Sequence, residues 1–394
     1  MDKKKALLVV AGGRAAPDVL SLLYLQPQLV IAITSEEGWQ AEKAFVDIAH
    51  ALPSCRIEIL PKINAYELEV GKDACQQVLA SYPETEWEWT ITIGSSPKIT
   101  GIAAYEVAKE KGIPCWHIDT RHEKVVSLVR DVQVDKRRFF HLSLDDYMHI
   151  QGRESKEKKG PTKSYRKIVE GWISIAEAMA SSDNTTLFTS IFYKCYNRFK
   201  NKEGNDVLGV LHEPLQIPPS LETHPLLQTL LGQGLLRIED TSSDEISYYF
   251  TSIESAHFLG TGDWLEIYVW CKTSEANFAD DHRWGYEIKG QVNNELDLAL
   301  IYKAQLIIVE CKTDFDPFKA SKGYQRDLDA AAELLGGAYV SKVFVTNQLG
   351  VGDSYLSFER QAKERHIVVV HHEKLADIGN ILKNEALNPT YERH

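Results

Sequence analysis

Three residues that could act together on a phosphate, Asp297, Glu310 and Lys312, lie in the stretch NNELDLALIYKAQLIIVECKT, where two apolar runs flank a short break. Side chains on a strand alternate faces, so Glu310 and Lys312 point one way while Val309 and Cys311 point the other. Folding the stretch into a hairpin about Lys303 and Ala304 places Asp297 directly opposite Glu310. Opposed residues in an antiparallel pair have Cβ atoms about 4.5–5.5 Å apart, and two carboxylates that close repel unless a cation lies between them. A hard divalent ion, Mg²⁺ or Mn²⁺, fits oxygen ligands of this kind. Such an ion polarises a phosphoryl oxygen and acidifies a bound water, and a neighbouring lysine can orient that water or stabilise the charge developing on the phosphate. A buried salt bridge among the three is the alternative reading, but burying ion pairs usually only breaks even in stability.

The hairpin with its Glu310-Cys311-Lys312 end resembles the PD-(D/E)xK nuclease superfamily, with Leu296 where a proline often precedes the aspartate. That resemblance implies an earlier glutamate on a helix before the hairpin, and Glu266 in GTGDWLEIYVW is the candidate third metal ligand beside Asp297 and Glu310. Asp263 and Glu266 also have the spacing of a helix capping box. Downstream, YQRDLDAAAELLGGAYVSKVFVTN reads as a helix and a strand, and Gln325 falls where many members of the superfamily place a further polar active-site residue. Asp280-Asp281-His282 reads as a solvated turn, His371-His372 as a surface pair at a strand end, and His117 with Asp119 as a strand-end pair that touches a ligand or bonds locally.

The elements around this site fall into two styles. From residue 5 to about 120, short apolar runs alternate with helical stretches, as in KALLVV then APDVLSLLYL, or WTITIG then ITGIAAYEVAKEKG. This alternation predicts a parallel sheet with helices on both faces, binding ligand beyond the carboxyl ends of its strands. At those ends stand Gly12, Gly13 and Arg14, then Thr34 and Ser35, then Gly94, Ser95, Ser96, Pro97 and Lys98, a set suited to a phosphate or nucleotide cradle. GxGxxG and GxxxxGK[ST] are both absent, which argues against a dinucleotide enzyme and a P-loop ATPase. The loop and helix GSSPKITGIAAYE resemble the CARF domain, the Rossmann-like sensor of cyclic oligoadenylates in type III CRISPR defence.

The expected organisation is a CARF-like domain over 1–147, a basic linker over 148–167, a helical, winged-helix-like connector over 168–250 and a nuclease domain over 251–394. In the connector, SIFYKCYNRF and LLQTLLGQGLL read as helices and LRIEDTSSDEISYYF as a hairpin around its Thr-Ser-Ser-Asp turn. Both folded halves are α/β. The net charge of −12 argues against coating nucleic acid by charge alone. Six scattered cysteines without CxxC spacing fit reduced thiols in a cytoplasm. No apolar run is long enough for a membrane span, and the apolar part of MDKKKALLVVAGG is too short for a secretory signal.

Taken together, the two halves resemble the CRISPR ancillary nucleases. That likeness implies a homodimer whose paired sensor domains bind a symmetric ring, most simply cyclic tetra-adenylate as allosteric activator, and whose nuclease domains cut DNA, RNA or both with Mg²⁺ or Mn²⁺. A nuclease indifferent to the ring, or a DNA-binding regulator with a structural Asp297/Glu310/Lys312 trio, are the competing readings.

Overall fold

The computed structural model describes residues 3–12, 15–35, 39–52, 54–120, 122, 124–156, 163–200, 205–240, 246–289, 294–319, 323–336 and 340–392. The chain divides into two compact units: Met1–Ser155 with Ile288–Val292 and Ile301–Gln305, and the remainder from Lys156 to His394.

The first unit is doubly wound. In chain order it holds β1 (Lys4–Val10), α1 (Ala16–Leu25), β2 (Leu29–Ile33), α2 (Trp39–Ala51), β3 (Arg56–Ile59), α3 (Leu68–Ser81), β4 (Trp87–Thr92), α4 (Lys98–Lys111), β5 (Cys115–Asp119), β6 (Lys124–Val129), α5 (Lys136–Phe139) and α6 (Leu144–Ile150). The sheet order is β3-β2-β1-β4-β5-β6, parallel from β3 through β5. β2 is buried along its whole length and β1 from Ala6 onward, as strands covered on both faces must be. The sequence pattern ends this series at β5. The structure adds β6, antiparallel to β5, whose residues alternate exposed and half-buried as an edge strand does.

The chain leaves β1 to build outward through β2 and β3, then returns to β4 on the other side of β1. The switch point lies between the carboxyl ends of β1 and β4, where ligands bind in open α/β sheets. Gly12 and the Gly94–Ser95 loop meet there.

The region expected as a linker, 148–167, carries regular elements. It contains the end of α6, a short strand β7 (Glu154–Lys156) and the start of α7 (Lys163–Glu170), while 157–162 lie outside the described residues. α7 forms because its residues are amphipathic, burying Tyr165 and Val169. The connector follows as α8 (Ile173–Ser181), α9 (Thr185–Lys200), α10 (Pro225–Gly232) and the antiparallel pair β8 (Leu236–Asp240) and β9 (Ile246–Phe250). The turn expected between those two strands, 241–245, lies outside the described residues.

The rest of the second unit comprises α11 (Ile253–Thr261), α12 (Asp263–Ala276), β10 (Asp281–Lys289), β11 (Asn294–Tyr302), β12 (Gln305–Lys312), α13 (Tyr324–Leu335), β13 (Ser341–Thr346), α14 (Gly352–Glu364), β14 (Ile367–Val370) and α15 (Ile378–Leu387). Its strands run in the order β14-β13-β12-β11-β10, with β12, β13 and β14 parallel. β12 is central, so Leu306 through Val309 are buried on both faces. Gln305 at its start is half-buried, and so are the charged Glu310 and Lys312 at its end.

Candidate active site

A two-residue turn joins β11 to β12. Lys303 and Ala304 both have positive φ, 48° and 64°, as the tight hairpin turn that matches strand twist requires. Tyr302 and Gln305 flank this turn, and Asp297 and Glu310 lie equally far along their strands. The arrangement agrees with the register expected from the sequence. Lys312 Nζ lies 3.1 Å from Asp297 Oδ2 and 2.5 Å from Glu310 Oε1, and the Cys311 N–H donates to Asp297 Oδ2 at 2.7 Å. The three side chains are mostly buried, at 13%, 20% and 24% exposure for Asp297, Glu310 and Lys312.

Burial dominates the electrostatics. It lifts the Glu310 carboxyl to about 7, helped by the neighbouring Asp297 charge and opposed by Lys312. Asp297 is raised for the same reason, against the pull of Lys312 and the Cys311 amide. Lys312 loses solvation too, but the two carboxylates outweigh that loss and hold the ammonium charged. Two acids thus share one cation, leaving one negative charge uncompensated when both ionise. This donor set, two opposed carboxylates at the open end of a central strand, fits an octahedral divalent ion that keeps water in its remaining positions.

The expected third carboxylate does not complete the set. Among the described residues no three acidic, histidine or cysteine side chains stand close enough to hold a metal together. Lys312 occupies the space between Asp297 and Glu310, while Glu266, in the first turn of α12, exerts its field on the Cys311 thiol and on Tyr165. The capping-box reading of Asp263 and Glu266 also fails. Gly262 is the N-cap, at φ 97°, and Asp263 instead accepts hydrogen bonds from Tyr165 at 2.7 Å and Thr261 at 2.6 Å and pairs with His257 at 3.2 Å. These bonds pin the α12 N-terminus, and a Cβ on Gly262 would strike the Thr313 hydroxyl just past Lys312.

Gln325 is buried at the start of α13, its amide donating to the Phe358 carbonyl at 2.7 Å. Its neighbours approach the cluster instead. The Tyr324 ring lies 5.5 Å from Lys312 Nζ with its hydroxyl bonded to Asp314, and the Asp327 charge opposes ionisation of Glu310. Neither residue carries a signal in sequence beyond its place on the helix, because a tyrosine and an aspartate in a first helical turn are ordinary.

The cradle residues of the first unit converge at the switch point. A Cβ on Gly12 would stand 1.6 Å from the Ser95 carbonyl oxygen, so only glycine admits this approach. The Gly12 N–H donates to Ser95 Oγ at 3.1 Å, and the Ser95 hydroxyl donates to Asp18. Ser96 is turned back to the Ile93 carbonyl at 2.9 Å. Thr34 and Ser35 are buried with hydroxyl oxygens that have no hydrogen-bond partner among the described residues, which suits a polar ligand at the carboxyl end of β2. Pro97 is the N-cap of α4, no side chain caps it, and Lys98 is exposed beside those first-turn amides. Gly13 and Arg14 lie outside the described residues. Asp18 is 2% exposed, with its second oxygen unpartnered, and its burial pushes the carboxyl up to about 8 against the Ser95 hydrogen bond.

The weaker candidates are taken up locally. Asp119 bonds the His122 amide and ring, Asp281 pairs with Arg283, His282 bonds Ser274 and His371 pairs with Glu373. None of the six cysteines forms a disulfide.

Comparison with known proteins places these sites in context. Residues 253–388 match the family model of the Card1-like endonuclease domain. Across the whole chain the fold is similar to Can2 from Sulfobacillus thermosulfidooxidans, solved in complex with cyclic tetra-adenylate, at 15% identity and a TM-score of 0.69, covering 97% of each chain. It is equally similar to protein VC1899 from Vibrio cholerae, at 17% identity and a TM-score of 0.70, covering 96% of this chain and 97% of that one. A type III CRISPR defence DNA nuclease activated by cyclic oligoadenylate matches at 15% identity and a TM-score of 0.51, over 88% of this chain and 46% of that one. No curated protein matches the chain.

Proposed function

We propose that this chain is a metal-dependent nuclease of type III CRISPR defence, switched on by a cyclic oligoadenylate, with cyclic tetra-adenylate the first choice of ring. The observation that carries this reading is the Asp297–Lys312–Glu310 cluster at the end of a central strand, inside the segment that matches a Card1-like endonuclease domain. Asp297 and Glu310 would hold Mg²⁺ or Mn²⁺, which supplies Lewis acidity at the phosphoryl oxygen and a bound water acidic enough to attack near neutral pH. Lys312 stays protonated, so it serves as a fixed positive charge for the phosphate in the transition state and not as a base. Water forms the new P–O bond, the bond to the departing sugar oxygen breaks, and that oxygen takes up a proton. DNA, RNA or both serve as substrate.

The ring would sit at the β1/β4 switch point, where Gly12, the Gly94–Ser95 loop and the α4 N-terminus with Lys98 offer amides and one cation to phosphates. A symmetric ring calls for a symmetric pocket, so the working form is a homodimer, and activation requires tighter ring binding by the closed state than by the open one. The test is incubation with Mn²⁺ and supercoiled plasmid, with and without cyclic tetra-adenylate, beside Glu310→Ala. Cleavage only with the ring, and none by the variant, is the expected result. Ring-independent cleavage would remove the sensor assignment, and no cleavage under any ring, metal or strand type would return the trio to a salt bridge.

A further inference from the structure

Beyond Lys312 the chain leaves β12 in an irregular segment on which Phe315 is 78% exposed, more than any other large hydrophobic side chain among the described residues. A single exposed phenylalanine is ordinary. This one lines a cavity of about 600 Å³ together with Leu187, Leu349 and Val351, themselves 42%, 50% and 66% exposed. A second cavity of about 600 Å³ shares Phe318, Asp353 and Ser354 with the first. Lys319, Arg326 and Arg365 line it, and so does Tyr324, whose ring faces Lys312. The two cavities therefore adjoin, and Tyr324, which lines the second, stands beside Lys312.

We propose that Phe315 is a base-stacking residue of the substrate track, the strand's phosphates following the basic cavity while an unpaired base next to the scissile phosphate seats on the Phe315 ring. The proposal rests on the nuclease reading above. Three residues of chain span at most roughly 10–11 Å, so the Phe315 backbone lies within that distance of Lys312. Three acids, Asp183, Asp316 and Asp353, against one lysine, Lys194, line the apolar cavity, and this balance disfavours a phosphate there and leaves an uncharged planar group as the fitting occupant. An aromatic face accepts any base, since each has a π surface to stack.

Full-length protein with Mn²⁺ and cyclic tetra-adenylate, acting on single-stranded oligonucleotides, provides the test. Phe315→Ala is expected to raise KM about tenfold with kcat nearly unchanged, and Phe315→Trp to restore it. Replacing the bases of the strand with abasic spacers should erase the difference between wild type and Phe315→Ala. Fluorescence anisotropy of the same strands in a Glu310→Gln background should show the same pattern without cleavage. Unchanged KM and binding in Phe315→Ala, or a defect that persists on abasic strands, overturns the proposal. So does loss of dimer mass in light scattering with KM intact, which would assign the patch to a second copy. A wild type that does not cleave removes the nuclease reading, and the binding arm then decides this one: binding indifferent to bases overturns it.

Discussion

Glu310 holds its proton up to about 7 because burial and Asp297 oppose its charge more than Lys312 favours it. A metal must displace that proton, so cleavage at fixed Mn²⁺ should rise with pH through about 7, and more Mn²⁺ should move the limb to lower pH. A rate profile flat from pH 5.5 to 8 would show that Glu310 is not a ligand. Asp18 makes a different prediction, about stability. Its folded value of about 8 lies above the ordinary 3.8, so the folded chain keeps a proton that the unfolded chain releases. The stability from this group is complete below pH 3.8 and is lost as pH rises through about 8, at about 1.4 kcal/mol per pH unit between those values. Asp18→Asn still accepts from the Ser95 hydroxyl and should flatten that slope in urea melts taken from pH 5 to 9. An unchanged slope would mean that Asp18 titrates as an exposed acid does.

At the scale of the element, the β11–β12 turn bears the cost of the site's register. Lys303 and Ala304 adopt left-handed conformations that side chains disfavour by roughly 1–2 kcal/mol each, whereas glycine enters them without strain. Ala304→Gly should therefore stabilise the protein by about 0.5–1 kcal/mol, after glycine's greater entropy loss, and leave cleavage intact. A denaturation midpoint that falls instead would show that the turn is not of this type. α12 bears a cost of another kind. Its uncapped N-terminus depends on Asp263, whose bonds to Tyr165, Thr261 and His257 fix where Glu266 and Gly262 stand beside the end of β12.

At the scale of the whole molecule, the proposed ring site and the proposed catalytic cluster lie in different units, and on that proposal the coupling between them is a difference in ring affinity between two states. Lys98 is the exposed charge of the proposed ring site and takes no part in the Asp297–Lys312–Glu310 cluster. Lys98→Ala should raise the ring concentration for half-maximal cleavage by roughly tenfold while leaving the rate at saturation unchanged. A lower saturated rate with an unchanged midpoint would place Lys98 outside the ring pocket. The bulk charge of −12 is no obstacle to the proposed binding of a strand, because Lys319, Arg326 and Arg365, which line one cavity, act locally.

Much of this was legible in the sequence. Two apolar runs meeting at Lys303-Ala304 set the hairpin, and with it the pairing of Asp297 with Glu310. The alternation of strands and helices before residue 120 determined a doubly wound sheet and put Gly12 and Ser95 at its ligand end. Other features depend on what lies beside a residue in space. Asp18 reads as an ordinary first-turn acid of α1 until the fold buries it under Ser95. Glu266 has the right place in the order of elements, yet only packing shows that it does not join Asp297 and Glu310 in a three-ligand group among the described residues. β6 and α7 form because a sheet edge and a buried face were available to them, and Phe315 lines its cavity only because Leu187, Leu349 and Val351, distant in sequence, meet it there. Local periodicity writes strands, helices and their register into the chain, while desolvation and the meeting of distant side chains exist only once the chain has folded.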